Sequence, residues 1–425
     1  MAFRWLPDSE QYVHPRLSWL LQYAFDVVLH RMFRVDHDLP ADFKLRPGTM
    51  IISNHLRDSD APLLGAQLFA RDGVYFRGAL PYFAMREDLF QHGALANLLY
   101  ACPRPWIHLL RLVSLNWLFG SVRTLPMRRL REFTWHDTLR ELERVGLGSS
   151  HPEAVFNARG LRELRRQLHE LPQRVDAINP WRLGVLRVGK WGLRRLTRQA
   201  REKLAPDFRA TVADQLDDLA RRLDAGHCLY FSPEGHVSLD GRFGRIRAGT
   251  WRLGRMTARP LNMLPLTLSY DPLGPGRTRA IVRMGDMLED LDPGDPRTLS
   301  RTVRQTLVAR RVVTPSHLLA QFLCVRETPF STRDLVDWLE QAKRATAQTE
   351  RELDPLFGRM HTDALVDERL RWLRRKHLVR LEGGRWHNDW DREAPPGWLQ
   401  VHGIVRYLAN ALKDVEPELA RALSS

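Results

Sequence analysis

The sequence predicts a mixed α/β protein. Short apolar runs recur between residues 49 and 285, and stretches with helical spacing separate them. The pattern breaks once, between Arg129 and Pro206, and gives way to helices after about residue 295. Strands alternating with helices build a sheet flanked by helices. A chain of 425 residues has room for two domains and a sizeable core.

Residues 16–33, "RLSWLLQYAFDVVLHRMF", read as a helix rich in Trp, Leu and Phe. It suits packing on the core or lying in a lipid interface. Strands are expected at "TMIIS" (49–53), "VYFRGAL" (74–80), "SVRTLPM" (121–127), "HCLYFS" (227–232), "NMLPLTLSY" (262–270) and "RAIVRMG" (279–285). Val212, Leu216, Leu219 and Leu223 mark one face of a helix that Gly226 is placed to end. Between Arg129 and Pro206 the chain reads as a basic helical insertion, with Trp181, Leu186 and Trp191 among dense arginines. Such a segment is either a solvated insertion or a contact for an anionic membrane. Beyond residue 295, "SHLLAQFL", "STRDLVDWLEQAKR" and "DALVDERLRWLRRKH" read as three helices, and "LVRLEGGRWHN" as a hairpin around Gly383-Gly384. Helices followed by a hairpin suggest a C-terminal winged-helix-like module. The expected domains are therefore 1–295, with the insertion at 129–206, and 296–425.

A hydrophobic fraction of 44% with 27% charged residues is ordinary for a folded protein, whereas the formal charge of +15 is not. The excess is mostly arginine. It favours anionic partners: phosphorylated substrates, anionic lipid surfaces or nucleic acid. Cys102, Cys228 and Cys324 are far apart and form no CxxC pair, so a disulfide or zinc framework is not expected and a reducing cytoplasm fits. The most apolar stretch, "PWIHLLRLVSLNWLFG" (105–120), carries His108 and Arg111 and is too short to span a bilayer cleanly. The start lacks a secretory signal pattern. The expected location is cytoplasmic, peripheral on the inner face of the membrane.

The chemistry concentrates in two stretches. "SNHLRDSDAPLL" (53–64) places His55, Asp58 and Asp60 where a strand runs out. At a strand-to-helix junction, the His55–Asp60 spacing can bring the side chains together. A carboxylate beside an imidazole sets its tautomer and raises its basicity, as a base acting on a hydroxyl requires. "YFSPEGHVSLDGRFGRIRAGT" (230–250) leaves a strand through Pro233, Glu234 and Gly235, then offers Arg242, Arg245 and Arg247 as donors suited to phosphate.

Together these stretches resemble the lysophospholipid and glycerol-phosphate acyltransferase family, with its NHxxxxD and FPEGTRS motifs. Asn54, His55 and Asp60 match the first motif. Phe231, Pro233, Glu234, Gly235 and Ser238 match the second, with Ser232 inserted between Phe and Pro. "GSVRTLPMRR" resembles the family's Gly-strand-Arg block through Gly120 and Arg128, and "NMLPLTLSY" its proline-centred block through Pro265. The resemblance covers roughly residues 20–290. It departs from the family where Thr-Arg is replaced by His236-Val237, which leaves the acceptor's identity open. The resemblance implies an acyltransferase-type sheet. It makes His55 the general base on an acceptor hydroxyl, Asp60 its orienter, and an acyl thioester of coenzyme A or acyl carrier protein the donor. Backbone amides near the motif would stabilise the oxyanion. Asn54, Glu234 and Gly235 would shape the acceptor site, and Arg128, Arg242 and Arg245 are candidate phosphate ligands. No metal, other cofactor or covalent intermediate is implied, and the acceptor is a phosphorylated or lipid molecule.

Two other readings stay open. His55, Asp58 and Asp60 suit the ligand set of a metal-dependent hydrolase, although no second ligand-spaced cluster is visible. The C-terminal module with its basic helix fits a winged-helix nucleic-acid binder. The basic excess, however, lies in the insertion, so nucleic acid is not the expected partner.

Overall fold

The structure is a computed structural model that describes residues 15–40, 43–57, 59–70, 81–90, 119–120, 122–128, 135–168, 170–178, 193–326, 328–349, 351–390 and 403–413. The expected strand at 74–80, most of the apolar stretch 105–120, and Cys102, Trp181, Leu186 and Trp191 lie outside the described residues. The chain divides into two compact units. One comprises Met1–Leu21 with Tyr82–Arg221, and the other Gln22–Pro81 with Arg222–Ser425.

In chain order, helix α1 (Pro15–Met32) leads into strand β1 (Phe33–His37). Strand β2 (Thr49–Ser53) and helix α2 (Asp60–Ala70) follow. Then come β3 (Tyr82–Arg86), β4 (Thr124–Met127), α3 (Trp135–Arg144) and α4 (Ala158–Leu168). Helix α5 (Arg198–Asp224) precedes β5 (Leu229–Phe231), α6 (Ala248–Met256), β6 (Leu261–Asp271), β7 (Thr278–Met284) and β8 (Leu288–Leu291). The remainder holds α7 (Pro296–Ala309), α8 (Pro315–Val325), α9 (Thr332–Ala347), α10 (Thr362–Arg375), β9 (Val379–Glu382), β10 (Arg385–Asn388) and α11 (Ile404–Lys413).

The unit containing Gln22–Pro81 is built on a mixed sheet flanked by helices. Strand β2 runs parallel to both β5 and β6, β6 pairs antiparallel with β7 and β8, and β7 pairs parallel with β1. Every residue of β2 is buried, and Met50, Ile51 and Ile52 have no exposed surface. A central strand covered on both faces carries an unbroken apolar run rather than an alternating one. That is why β2 and β6 were legible in the sequence. Strands β1 ("FRVDH"), β3 ("YFAMR") and β8 ("LEDL") are short and carry charges, so no such run announces them.

The segment after residue 295 belongs to the same unit as this sheet. Its helices are stopped and started by side chains. Thr314 with His317, and Ser331 with Asp334, form reciprocal capping boxes that satisfy the first amides of α8 and α9. Strands β9 and β10 pair across Gly383 and Gly384, whose φ values of +56° and +76° suit a two-residue hairpin turn. Two ion pairs, one buried and one partly buried, join this segment to the sheet. Arg369 donates to Asp271 at 2.7 Å, and Arg279 grips Asp354 with two bonds of 2.9 Å.

The unit containing Tyr82–Arg221 holds the parallel pair β3–β4 and helices α3, α4 and most of α5. Its helical part is more than a solvated array. Leu142, Phe156, Leu164 and Leu196 are almost fully buried in a core of its own. Helix α5 runs unbroken through Pro206, where the insertion was expected to end. Leu216, Leu219 and Leu223 are buried as their spacing predicts. The Gly226 N–H bonds the Leu223 carbonyl just past the helix end. Among the described residues no helix is long and apolar enough to cross a membrane. Helix α1 nevertheless leaves Leu20, Tyr23, Val27, Val28 and Met32 exposed.

Candidate active site

The site forms where β2 ends. Asn54 anchors the exit: its amide donates to the Leu268 carbonyl and accepts the Leu268 N–H, both at 2.8 Å, so it completes the edge of β6 like an extra strand residue. Asn54 is thus a buried structural anchor, not a group facing solvent. Chain direction then turns into α2, whose first residue is Asp60.

Asp60 has no exposed surface, and both of its oxygens are occupied. Oδ2 accepts the Leu56 N–H at 2.6 Å and the Arg57 N–H at 2.8 Å. It also lies 3.2 Å from His55 Nδ1. Oδ1 accepts the Tyr270 hydroxyl at 2.5 Å. Burying a carboxylate is expensive unless such donors surround it. With the Asp60 carboxylate as acceptor, Nδ1 carries the imidazole proton and Nε2 is left as the basic nitrogen. His55 is only partly buried.

The second motif holds the first. Glu234 Oε1 accepts the His55 N–H at 2.8 Å, and Oε2 accepts the Gly244 N–H at 2.6 Å. Burial pushes the Glu234 carboxyl above its usual range, against the lowering effect of those two amides. Ser238 returns a backbone N–H to the His55 carbonyl at 2.7 Å. The Tyr407 hydroxyl donates to the Leu56 carbonyl at 3.1 Å. The four backbone polar groups of His55 and Leu56 therefore bind Glu234, Ser238, Asp60 and Tyr407. A side chain whose backbone is held this way keeps its geometry without help from a ligand.

Gly235 sits in the turn after Glu234, its N–H bonded to the Ser232 carbonyl. Arg247 crosses behind that turn, donating to the Glu234 carbonyl at 3.2 Å and to His236 Nε2 at 2.8 Å. Arg242 and Arg245 are exposed. Arg242 lies 3.9 Å from Asp240, and Arg245 makes no ion pair or hydrogen bond among the described residues.

Arg128 belongs to the other unit. Its fork closes on Glu87 with bonds of 2.7 and 2.8 Å, and Glu141 lies 3.4 Å from Nη1. Its donors already face carboxylates, so a phosphate would have to displace them. Asp58, the third member of the possible metal set, lies outside the described residues. Among those described, no three His, Cys, Asp or Glu side chains are grouped as a metal would need. The four donors on Asp60 also occupy the lone pairs a metal ion would use.

Sequence reasoning missed Tyr270 and Tyr407. Tyr270 ends the run "NMLPLTLSY", where its hydroxyl gives no signal of its own. Its ring lies under the Arg57 guanidinium, 4.5 Å from the centroid, and burial beside Asp60 holds its hydroxyl well above the ordinary tyrosine range. Tyr407 lies 352 positions after His55 along the chain, beyond any motif spacing.

No family model matches the chain, and no curated protein matches it in sequence. Among solved structures it is similar to the crystal structure of the 1-acyl-sn-glycerophosphate (LPA) acyltransferase PlsC from Thermotoga maritima. The identity is 13% and the TM-score 0.31, over 69% of this chain and 75% of that one. A likeness of that size defines neither substrate nor chemistry, which rest on the residues themselves.

Proposed function

We propose that the chain is an O-acyltransferase. It moves a fatty acyl group from an acyl thioester to a hydroxyl of a glycerol-phosphate or lysophospholipid-type acceptor. The observation that carries this reading is the His55–Asp60 pair at the end of a buried strand, with its backbone tied to Glu234. The two motif stretches, distant in sequence, meet through that bond.

In this reading His55 Nε2 takes the proton of the acceptor hydroxyl as its oxygen attacks the thioester carbonyl. The tetrahedral intermediate collapses, the carbon–sulfur bond breaks, and the departing thiolate recovers the proton. Asp60 holds the imidazole in the required tautomer and offsets its charge when protonated. Glu234 acts through the backbone, fixing the His55 loop and the Gly244 loop together. Of the basic residues expected at the acceptor, Arg242 and Arg245 are the better placed to meet a phosphate, because they are exposed while Arg128 is engaged by Glu87. Arg128 is then a structural residue. The donor is acyl coenzyme A or acyl carrier protein.

The exposed apolar residues of α1 and the positive charge support a peripheral site of action on an anionic membrane, at its inner face. Each arginine near such a surface contributes on the order of 1 kcal/mol, screened by salt. The segment after residue 295 is proposed as a winged-helix-like docking module rather than a nucleic-acid reader. Arg369, on the arginine-bearing helix α10, is buried against Asp271 and unavailable to phosphate. The test is release of free thiol from acyl coenzyme A across a panel of hydroxylated acceptors, with the lipid product identified by mass. Thiol release that depends on the acceptor and on His55 supports the reading, and its absence with every acceptor and with an acyl carrier protein donor rejects it.

A further inference from the structure

We infer that the C-terminal helix α11 is a working part of the candidate site, with Tyr407 as a positioning residue for His55. Three contacts from this one helix converge on the two loops that carry the motifs. The Tyr407 hydroxyl reaches the Leu56 carbonyl at 3.1 Å. The Asn410 amide donates to the Asp240 carbonyl at 3.0 Å. The Tyr407 carbonyl lies against Gly241, at φ +88°, so closely that a Cβ there would fall 1.9 Å from the oxygen. Only glycine fits both that backbone and that approach.

These contacts have a chemical consequence. The Leu56 peptide is shared between Asp60, which takes its N–H, and Tyr407, which binds its carbonyl. Ser238, whose hydroxyl accepts the N–H of that same Gly241 at 3.0 Å, gives its own N–H to the His55 carbonyl. Tyr407 therefore restrains the Leu56 peptide through its hydroxyl and, through its carbonyl against Gly241 and the Gly241–Ser238 bond, the loop that binds the His55 carbonyl. Tyr407 is buried, and burial raises its hydroxyl above the ordinary tyrosine range, so it stays a donor at any working pH. Helix α11 also shares a core with α8 through Leu408 and Leu412.

The kinetic arm of the test rests on the acyltransferase reading, and the amide arm does not. Tyr407→Phe removes only the hydroxyl. Its kcat for thiol release should fall about three- to tenfold, the loss expected for one neutral hydrogen bond, with both KM values within about twofold of wild type. Leu412→Val on the same helix perturbs the core without touching the loops. It should lower the melting temperature while leaving kcat per folded molecule unchanged. Independently of any activity, hydrogen exchange at the Leu56 and Arg57 amides should quicken in Tyr407→Phe, while exchange in α9 and α10 stays as in wild type. Unchanged exchange at Leu56 and Arg57 in the folded variant would overturn the inference. So would an unchanged kcat, or a kcat loss in Leu412→Val matching that in Tyr407→Phe. A wild-type protein inactive with every substrate would defeat the acyltransferase reading, and the exchange measurement would then decide the positioning role alone.

Discussion

The Tyr270 hydroxyl donates to Asp60 Oδ1 at 2.5 Å, on the side of the carboxylate away from His55. This bond fixes the Asp60 carboxylate, because the rotation that would withdraw Oδ2 from the imidazole would break it. Tyr270→Phe keeps the ring and the Arg57 contact but leaves a buried carboxylate short of one donor. Stability should drop by about 1.5–3 kcal/mol, the range for hydrogen bonds to charged groups, read from urea titration. Turnover of the folded fraction should fall as well. Wild-type stability in this variant would mean that the carboxylate does not depend on Tyr270.

Arg128 poses the opposite case, a residue whose expected role meets a different environment. Its bidentate pair with Glu87 uses the planar fork that lysine lacks. Arg128→Lys should destabilise the protein by about 1–2 kcal/mol in chemical denaturation, as a charge-assisted bidentate pair is reduced to a single contact. Acceptor KM should change little. Unaltered stability together with a raised acceptor KM would return Arg128 to the phosphate role.

Acid sensitivity has an identifiable source in α8. His317 is buried at the capping position, and burial, aided by the nearby Arg311 charge, pushes its imidazole down to about 3. An unfolded histidine titrates near 6.5, so between those values the unfolded chain binds the extra proton. Stability from this group is fully present above about 6.5 and is lost as pH falls toward 3, by at most about 1.4 kcal/mol per unit. Glu234 acts in the other direction. Its raised carboxyl favours the folded state below the ordinary glutamate value and loses that advantage as pH rises through the folded one. His317→Gln retains an acceptor for the capping box while removing the titration. The gain in urea midpoint between pH 4.5 and 6.5 should be smaller in this variant than in wild type. Equal gains would show that His317 is not the group responsible.

The legible parts of this fold were those with a local signature. Strand β2 and the long β6 are unbroken apolar runs because both faces are covered, and the C-terminal helices carry their own caps at Thr314 and Ser331. His55, Asp60 and Glu234 stood out because their residue types and spacing are chemical signals. What stayed hidden was tertiary. Asn54 reads as part of a motif, yet its amide completes the pairing of β6 at Leu268. The partner of Arg128, Glu87, is 41 positions earlier, and no spacing rule connects them. Tyr270 and Tyr407 are ordinary core tyrosines in sequence, and only the fold brings their hydroxyls to Asp60 and Leu56.

The most direct test of the central claim is thiol release by the His55→Ala and Asp60→Asn variants, measured on protein shown to be folded. A positioned general base contributes about a hundred- to ten-thousand-fold in rate, so His55→Ala should lose activity on that order. Asp60→Asn should also fall, and the double variant should lose far less than the product of the two, because base and orienter act as a unit. A folded His55→Ala protein with wild-type turnover would contradict the account.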